Sequence, residues 1–380
     1  MASERTVVPP ALTAACAVVP DGDVLVAAPA STPEASALLR AAFELGLTVV
    51  ARGAGLGWWV PRADVVVDTR QMDQVVEHAA GDLVAKVQAG ALAGDVAAVL
   101  AGAGQRLALD VPPSVTIGGM IATGLAGPLR FRYGSPRDLL IGITIVRPDG
   151  VVAHSGGKVV KNVAGYDLGK LFAGSYGTLG LITEATFRLH PIPGAVAYLV
   201  ASAGDPAAAV VAAANSPLQP SAVELGPDGT VGVLLEGTSA GVAARAAELA
   251  PLLGGARVSE EPPSWWGQLP APHEVVVRVT FWLARLREVL EIIATSGVPC
   301  AVGGPAGAGM LYLCASPDTD LSGLLDMLRG LLAGRGGVRV LTGPAGPAVP
   351  TGPPGPGDAL MRAVRDQFDP AHRMGSYAGA

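Results

Sequence analysis

Cysteine is scarce in this 380-residue chain: Cys16, Cys300 and Cys314 are an odd number without CxxC spacing. Neither a disulfide framework nor an iron–sulfur cluster fits that pattern, and the three read as buried or incidental thiols. Histidine is nearly as sparse. The five residues, at 78, 154, 190, 273 and 372, include no H-x-H or H-x-x-x-H pair, so no metal centre is visible. Charged residues make up only 15% of the chain, the net charge is -6, and no Lys/Arg block or interleaved aromatic stripe occurs, which argues against a nucleic-acid surface. Half the residues are apolar, yet no run of about 20 is free of Gly, Pro and charge, as a bilayer span requires. Pro9, Pro10 and Pro20 interrupt the N-terminus where a secretory signal would need a continuous apolar core, and a cytoplasmic location is the expectation.

Glycine, by contrast, is abundant, with 51 residues, and three dense stretches lie in the first half: RGAGLG at Arg52 to Gly57, IGGMIATGLAGP at Ile117 to Pro128 and GSYGTLG at Gly174 to Gly180. Without a Cβ, glycine admits φ > 0 and lets backbone N–H groups line a concave anion nest. Loops of this kind converging in one domain suit a long ligand carrying a diphosphate, against the simpler reading that they serve ordinary tight turns. A Rossmann dinucleotide turn is disfavoured. That motif needs a helix to start inside the glycine run, whereas here Trp58-Trp59-Val60-Pro61 follows and leads into an apolar strand.

The length predicts two domains. An opening βαβ unit is expected from strand Val24 to Ala28, helix Thr32 to Leu45 with Thr32 as N-cap, and strand Leu47 to Ala51. Strands 65–68, 83–88, 139–146, 151–154 and 179–189 and helix 92–101 follow. His190-Pro191-Ile192-Pro193-Gly194 breaks the pattern and marks a boundary. Beyond it, two similar sets of strands and helices predict an antiparallel α+β cap of the ferredoxin-like sort.

The stretches VVARGAGLGW, PPSVTIGGMIATGLAGPLRFRYGSPRDLLIG and KVVKNVAGYDLGKLFAGSYGTLGLITEATFRLHP resemble the FAD-binding domain of the vanillyl-alcohol-oxidase (PCMH) type. Within that group TGLAGPLR and KNVAGYDLGKLFAGSYGTLG are most similar to the FAD-binding subunit of bacterial glycolate oxidase. The resemblance implies an α+β fold: a PCMH-type FAD-binding domain of two subdomains over residues 1–192, and a ferredoxin-like cap over 193–341. A Gly/Pro-rich linker over 342–357 and a segment over 358–380 that returns to the FAD domain through FDPAHR complete the expected layout. Expected cofactor contacts are Arg52, Gly53, Ala54, Gly55, Leu56, Gly57 and Trp58 from the first stretch. The second supplies Pro113, Thr116, Ile117, Gly118, Gly119, Ala122, Thr123 and Gly124, and the third Gly174, Ser175, Gly177, Thr178, Gly180, Leu181 and Ile182.

Several of these keep a plainer reading. Arg52 could form a surface ion pair, Thr116, Ser175 and Thr178 could cap local turns, and Leu181 and Ile182 could be core. FAD should be noncovalent, because Trp58 and Trp59 stand where linked relatives carry a histidine. For catalysis only Arg130, Arg132, Tyr133 and Tyr166 stand out, as cations or proton carriers for a hydroxy acid, with solvated or phosphate-facing roles as the alternative. The resemblance further implies an oxidoreductase subunit acting on glycolate or another small 2-hydroxy acid beside a second, catalytic FAD-binding subunit and an iron–sulfur subunit. It would approach the inner face of a membrane only through those partners. A stand-alone flavin oxidase or dehydrogenase, or a structural subunit with a decayed FAD site, are the alternatives. Tyr176, where many relatives have an acid, and the C-terminal GSYAGA depart from the family pattern.

Overall fold

A computed structural model of the chain describes residues 8–54, 63–157, 167–271, 275–342 and 358–375. Gly55, Leu56, Gly57, Trp58, Trp59, Tyr166 and nearly all of the expected linker lie outside these described residues. The chain divides into two compact units, Met1–Ala126 with Ser135–Pro191 and Pro354–Ala380, and Gly127–Gly134 with Ile192–Pro353.

The first unit holds two sheets. One runs in the order Ala17–Asp21, Val24–Ala28, Val65–Asp68, Val49–Arg52, with the last three parallel. Every residue of Val65–Asp68 is buried, as a parallel strand covered on both faces demands. The crossover helix Thr32–Glu44 turns Ala35, Leu38, Leu39, Ala41 and Ala42 inward. Its N-cap is Ser31, whose side chain accepts from Glu34 N–H, and not Thr32. The Thr32 hydroxyl donates instead to Thr183 Oγ1 at 2.9 Å. The second sheet is antiparallel, in the order Val75–Ala79, Val84–Gln88, Leu181–Arg188, Leu140–Val146, Val152–Gly156. Strands Ala17–Asp21 and Val75–Ala79 escaped the sequence reading because both are sheet edges, only partly buried, and so lack a strong apolar alternation.

The second glycine stretch departs most from expectation: Ile117–Thr123 is a helix, capped by Thr116 and ended by Gly124 at φ +66°. Gly118 is required there by close approach, since a Cβ would lie 2.9 Å from Ala89 Cβ.

The C-terminal helix Asp358–Phe368 belongs to this first unit. Phe368 meets Phe172 edge to face at 5.7 Å. After it, Asp369, fully buried, accepts from the N–H groups of Arg373 and Met374, and Val49 N–H donates to Arg373 O at 2.7 Å. FDPAHR therefore closes the free edge of the parallel sheet.

The second unit is a tandem of two β-α-β-β-α-β repeats. The first comprises Ala195–Ala201, helix Pro206–Ala214, Ala222–Leu225, Val231–Gly237, helix Ser239–Leu252 and Arg257–Ser259. The second comprises Val275–Phe281, helix Leu286–Thr295, Ala301–Gly303, Met310–Ala315, helix Ser322–Leu332 and Gly336–Thr342. In each the second and third strands are followed across the sheet by the first and then the fourth, all antiparallel, which is the ferredoxin-like order. The helices of both repeats share one apolar core, running from Leu199, Val210 and Leu249 to Val277, Leu286 and Leu328. The short edge strand 257–259 was absent from the sequence reading for want of apolar alternation, and strand 336–342 falls between the expected end of the last cap helix and the linker, where no element was expected.

Candidate functional site

The three glycine stretches meet in the first unit. Strand Val49–Arg52 delivers Gly53 so close to Thr116 that a Cβ on Gly53 would sit 2.1 Å from Thr116 Oγ1. The end of the Ile117–Thr123 helix then meets the third stretch. Gly174 N–H donates to Ile121 O at 3.0 Å, Tyr176 N–H donates to Ala122 O at 2.8 Å, and a Cβ on Gly124 would lie 3.7 Å from Gly174 Cα. Gly177 in turn faces Ala51, its built Cβ 4.0 Å from that of Ala51. The third stretch bends through positive φ at Gly174, Tyr176, Gly177 and Gly180, and at Gly180 a Cβ would also strike Val146 O at 2.6 Å.

Not every expected contact group is free to serve a ligand. Ile117 N–H donates to Ala91 O at 2.9 Å and Gly118 N–H to Ala89 O at 2.7 Å, so both are occupied by the protein's own carbonyls. Thr116 Oγ1 accepts from Gly119 N–H as a helix cap, Thr123 donates to Gly119 O, and Thr178 donates to Ser175 O. Pro113 O takes Gly94 N–H. Leu181 and Ile182 are buried, Leu181 within the core beneath the parallel sheet. Ser175 is different: its hydroxyl oxygen is buried with no hydrogen-bond partner among the described residues. An orphaned hydroxyl in a loop built on positive φ is what a missing polar ligand leaves behind. The residues present therefore fit a diphosphate cofactor.

Arg52 has resolved toward the protein. Its Nη2 pairs with Asp68 Oδ2 at 3.1 Å, and Arg70 Nη2 holds the same oxygen at 2.6 Å. Burial disfavours the Asp68 anion, but the hydrogen bonds from Arg70 side chain and backbone and from Arg52 outweigh it and hold the carboxyl below its ordinary value. Asp68 was missed by sequence reasoning. The available signal was a carboxylate closing the all-valine strand VVVD directly beside Arg52 in parallel register.

Three of the catalytic candidates, Arg130, Arg132 and Tyr133, belong to the second unit. Gly127–Gly134, read from sequence as part of the FAD-binding region, belongs with the second unit. There Tyr133 OH donates to Glu236 Oε2 at 3.0 Å, Arg132 Nη1 donates to Gln219 O at 3.3 Å, and Arg130 Nη1 sits 3.3 Å from Met310 Sδ. Leu129 packs with Ala222 and Leu234, flanked by Tyr133, Tyr198 and Trp266. Arg130 and Arg132 thus reach different partners, and Tyr166 is outside the described residues.

Among the described residues no helix is long and apolar enough to cross a membrane. A family model described as FAD binding domain matches residues 24–156. Glycolate oxidase subunit GlcD of Bacillus subtilis (strain 168) is 37% identical over 175 residues, covering 44% of this chain and 37% of that one. Glycolate oxidase subunit GlcE of Escherichia coli (strain K12) is 40% identical over 136 residues, 35% of this chain and 39% of that one. The mitochondrial D-lactate dehydrogenase [cytochrome] of Arabidopsis thaliana is 34% identical over 204 residues, 52% of this chain and 36% of that one. The matched stretch thus spans well under half the length of each of these curated relatives. Chitooligosaccharide oxidase shares the fold over 96% of this chain and 97% of its own, with a TM-score of 0.66 at 17% identity. Residues 24–156 thus match the FAD binding domain family, in a chain whose α+β fold is of the PCMH type and whose cofactor is FAD.

Proposed function

We propose that this chain is an FAD-dependent oxidoreductase for a small 2-hydroxy acid, working as one subunit of an assembly that passes electrons to a partner. The observation that carries the reading is the meeting of Gly53 with Thr116 and of Ile121 and Ala122 with Gly174 and Tyr176 around the orphaned Ser175 hydroxyl. Two relatives named as glycolate oxidase subunits, together with D-lactate dehydrogenases, support the substrate class and the multi-subunit reading. The iron–sulfur partner, noncovalent attachment of FAD and a cytoplasmic station that reaches the membrane only through partners belong to the same proposal.

FAD, when bound, supplies the hydride acceptor. The chain's own part is to hold it: the backbone at Gly53–Ala54 and the Ser175 hydroxyl would take the diphosphate, Ser175 donating its proton to an anionic oxygen, while the N–H groups of Gly174 and Tyr176 are spent on fixing the loop to Ile121 and Ala122. Oxidation of a 2-hydroxy acid also needs a cation for the carboxylate and an acceptor for the hydroxyl proton. Arg130 and Arg132 are the proposed cations, as guanidinium groups suited to a carboxylate.

The test is the visible spectrum of the purified chain, then acid precipitation, then reduction by glycolate and D-lactate with and without partner subunits. Flavin released into the supernatant as FAD, with turnover only when partners are added, supports the proposal. Full turnover by the isolated chain refutes the subunit reading, and a colourless protein that takes up no added FAD shows a decayed, structural subunit.

A further inference from the structure

We propose that Asp68 is a positioning residue for the FAD site: without itself facing the cofactor, it fixes the first glycine stretch against the second. Asp68 is 5% exposed, and both its oxygens are engaged, Oδ1 by Arg70 Nε at 2.9 Å and Oδ2 by Arg70 Nη2 and Arg52 Nη2. The next residue completes the hold, since Thr69 Oγ1 donates to Arg52 O at 3.2 Å. Side chain and carbonyl of the residue preceding Gly53 are therefore both held from the turn that follows strand Val65–Asp68.

That turn also reaches the second stretch. Gly90 N–H donates to Met72 O at 2.8 Å, and a Cβ on Gly90 would lie 1.9 Å from Thr69 O, so the two backbones are in direct contact. The same segment then holds the helix Ile117–Thr123, through Ala89 O to Gly118 N–H and Ala91 O to Ile117 N–H. The circuit closes where Gly53 abuts Thr116. Two glycine stretches far apart in sequence are thus set relative to each other by one short turn, and the only ionised group buried in that turn is Asp68.

The assignment makes a prediction whose sign is opposite to simple electrostatics. Asp68, Arg52 and Arg70 together carry one net positive charge; Asp68→Asn raises it to two, which by Coulomb attraction alone would strengthen binding of a diphosphate. As a positioning residue, Asp68 must have the reverse effect, because the amide cannot hold two guanidinium groups and the Arg52–Gly53 backbone is released.

The experiment rests on the FAD reading and is done on the full chain. FAD is removed, the apoprotein is titrated with FAD by fluorescence quenching, and the thermal midpoint of each apoprotein is recorded alongside. Asp68→Asn is expected to weaken FAD binding about 10- to 100-fold, the loss associated with one or two charge-assisted hydrogen bonds. Thr69→Val should weaken it in the same direction by less, and Arg70→Gln least. A purely structural role would lower the midpoint while leaving the dissociation constant of the folded protein unchanged. A folded Asp68→Asn apoprotein that binds FAD as tightly as wild type, or more tightly, overturns the assignment. If Asp68→Asn does not fold, Thr69→Val decides, and an unchanged dissociation constant there also overturns it. Wild-type apoprotein that takes up no FAD overturns the underlying reading as well, an outcome distinct from uptake by wild type and Asp68→Asn alike.

Discussion

Replacing Gly53 by alanine adds one methyl group at the junction on which the cofactor reading depends. The new Cβ would fall 2.1 Å from Thr116 Oγ1, 3.2 Å from its Cβ and 3.3 Å from its Cγ2, short of ordinary contact by more than an ångström. Thr116 is 2% exposed and its hydroxyl caps the Ile117–Thr123 helix, so it cannot swing aside without giving up the bond from Gly119 N–H. Loss of a cap costs about 1 kcal/mol and overpacking a filled site about 1–3 kcal/mol. The sum, about 2–4 kcal/mol, corresponds to a fall of about 4–16 °C in the melting midpoint of a unit this size. Gly53→Ala should therefore purify with little or no FAD and melt lower than wild type, while Gly81→Ala, with nothing within 4 Å of its built Cβ, should behave as wild type. Thr116→Ala removes the clashing oxygen, so the double variant should be less damaged than the two single losses added together. Stoichiometric flavin and an unchanged midpoint in Gly53→Ala, or strict additivity in the cycle, would refute the packing of the first stretch on the second.

Four further outcomes follow from the same geometry. Because the folded-state pKa of Asp68 is depressed, the unfolded chain binds its proton first, so its stabilisation is present above the ordinary carboxylate range and is lost as pH falls through the folded value; urea titrations from about pH 5 down to about pH 2 should show a shallower acid limb in Asp68→Asn. Tyr133→Phe removes the donor to the buried Glu236 and should cost about 1–2 kcal/mol in denaturant unfolding, with no cost pointing to a contact that does not form. Asp369→Ala leaves the N–H groups of Arg373 and Met374 without their carboxylate, and hydrogen exchange at Val49 N–H should accelerate as the C-terminal segment loosens. Burial, reinforced by the charge of Glu34, pushes the Cys16 thiol up to about 11, so at pH 8 it should react with thiol reagents far more slowly than a free cysteine; rapid labelling would contradict its partial burial against the core of the parallel sheet.

Much was legible before any coordinates. The strand VVVD at 65–68 and the amphipathic helix after Ser31 are local patterns whose burial follows from composition, and the repeated strand-helix order beyond His190 foretold the duplicated α+β unit. Edge strands were not legible, since they are half-solvated and carry no sharp alternation. Nor was the helix inside IGGMIAT, because glycine weakens helical propensity and only the close approach of Ala89 to Gly118 explains its presence.

Three glycine stretches, in an order and with neighbours typical of FAD-binding chains, are legible in the primary structure, because glycine's freedom at positive φ and its lack of a Cβ are properties of the residue alone. Which groups those stretches present was decided only by tertiary structure. The N–H groups of Ile117 and Gly118 are taken by Ala91 and Ala89, Arg52 turns to Asp68, and the Ser175 hydroxyl finds no partner among the described residues. Those assignments depend on partners brought from distant parts of the chain, and hydrogen-bond competition among them is settled by folding, not by local pattern.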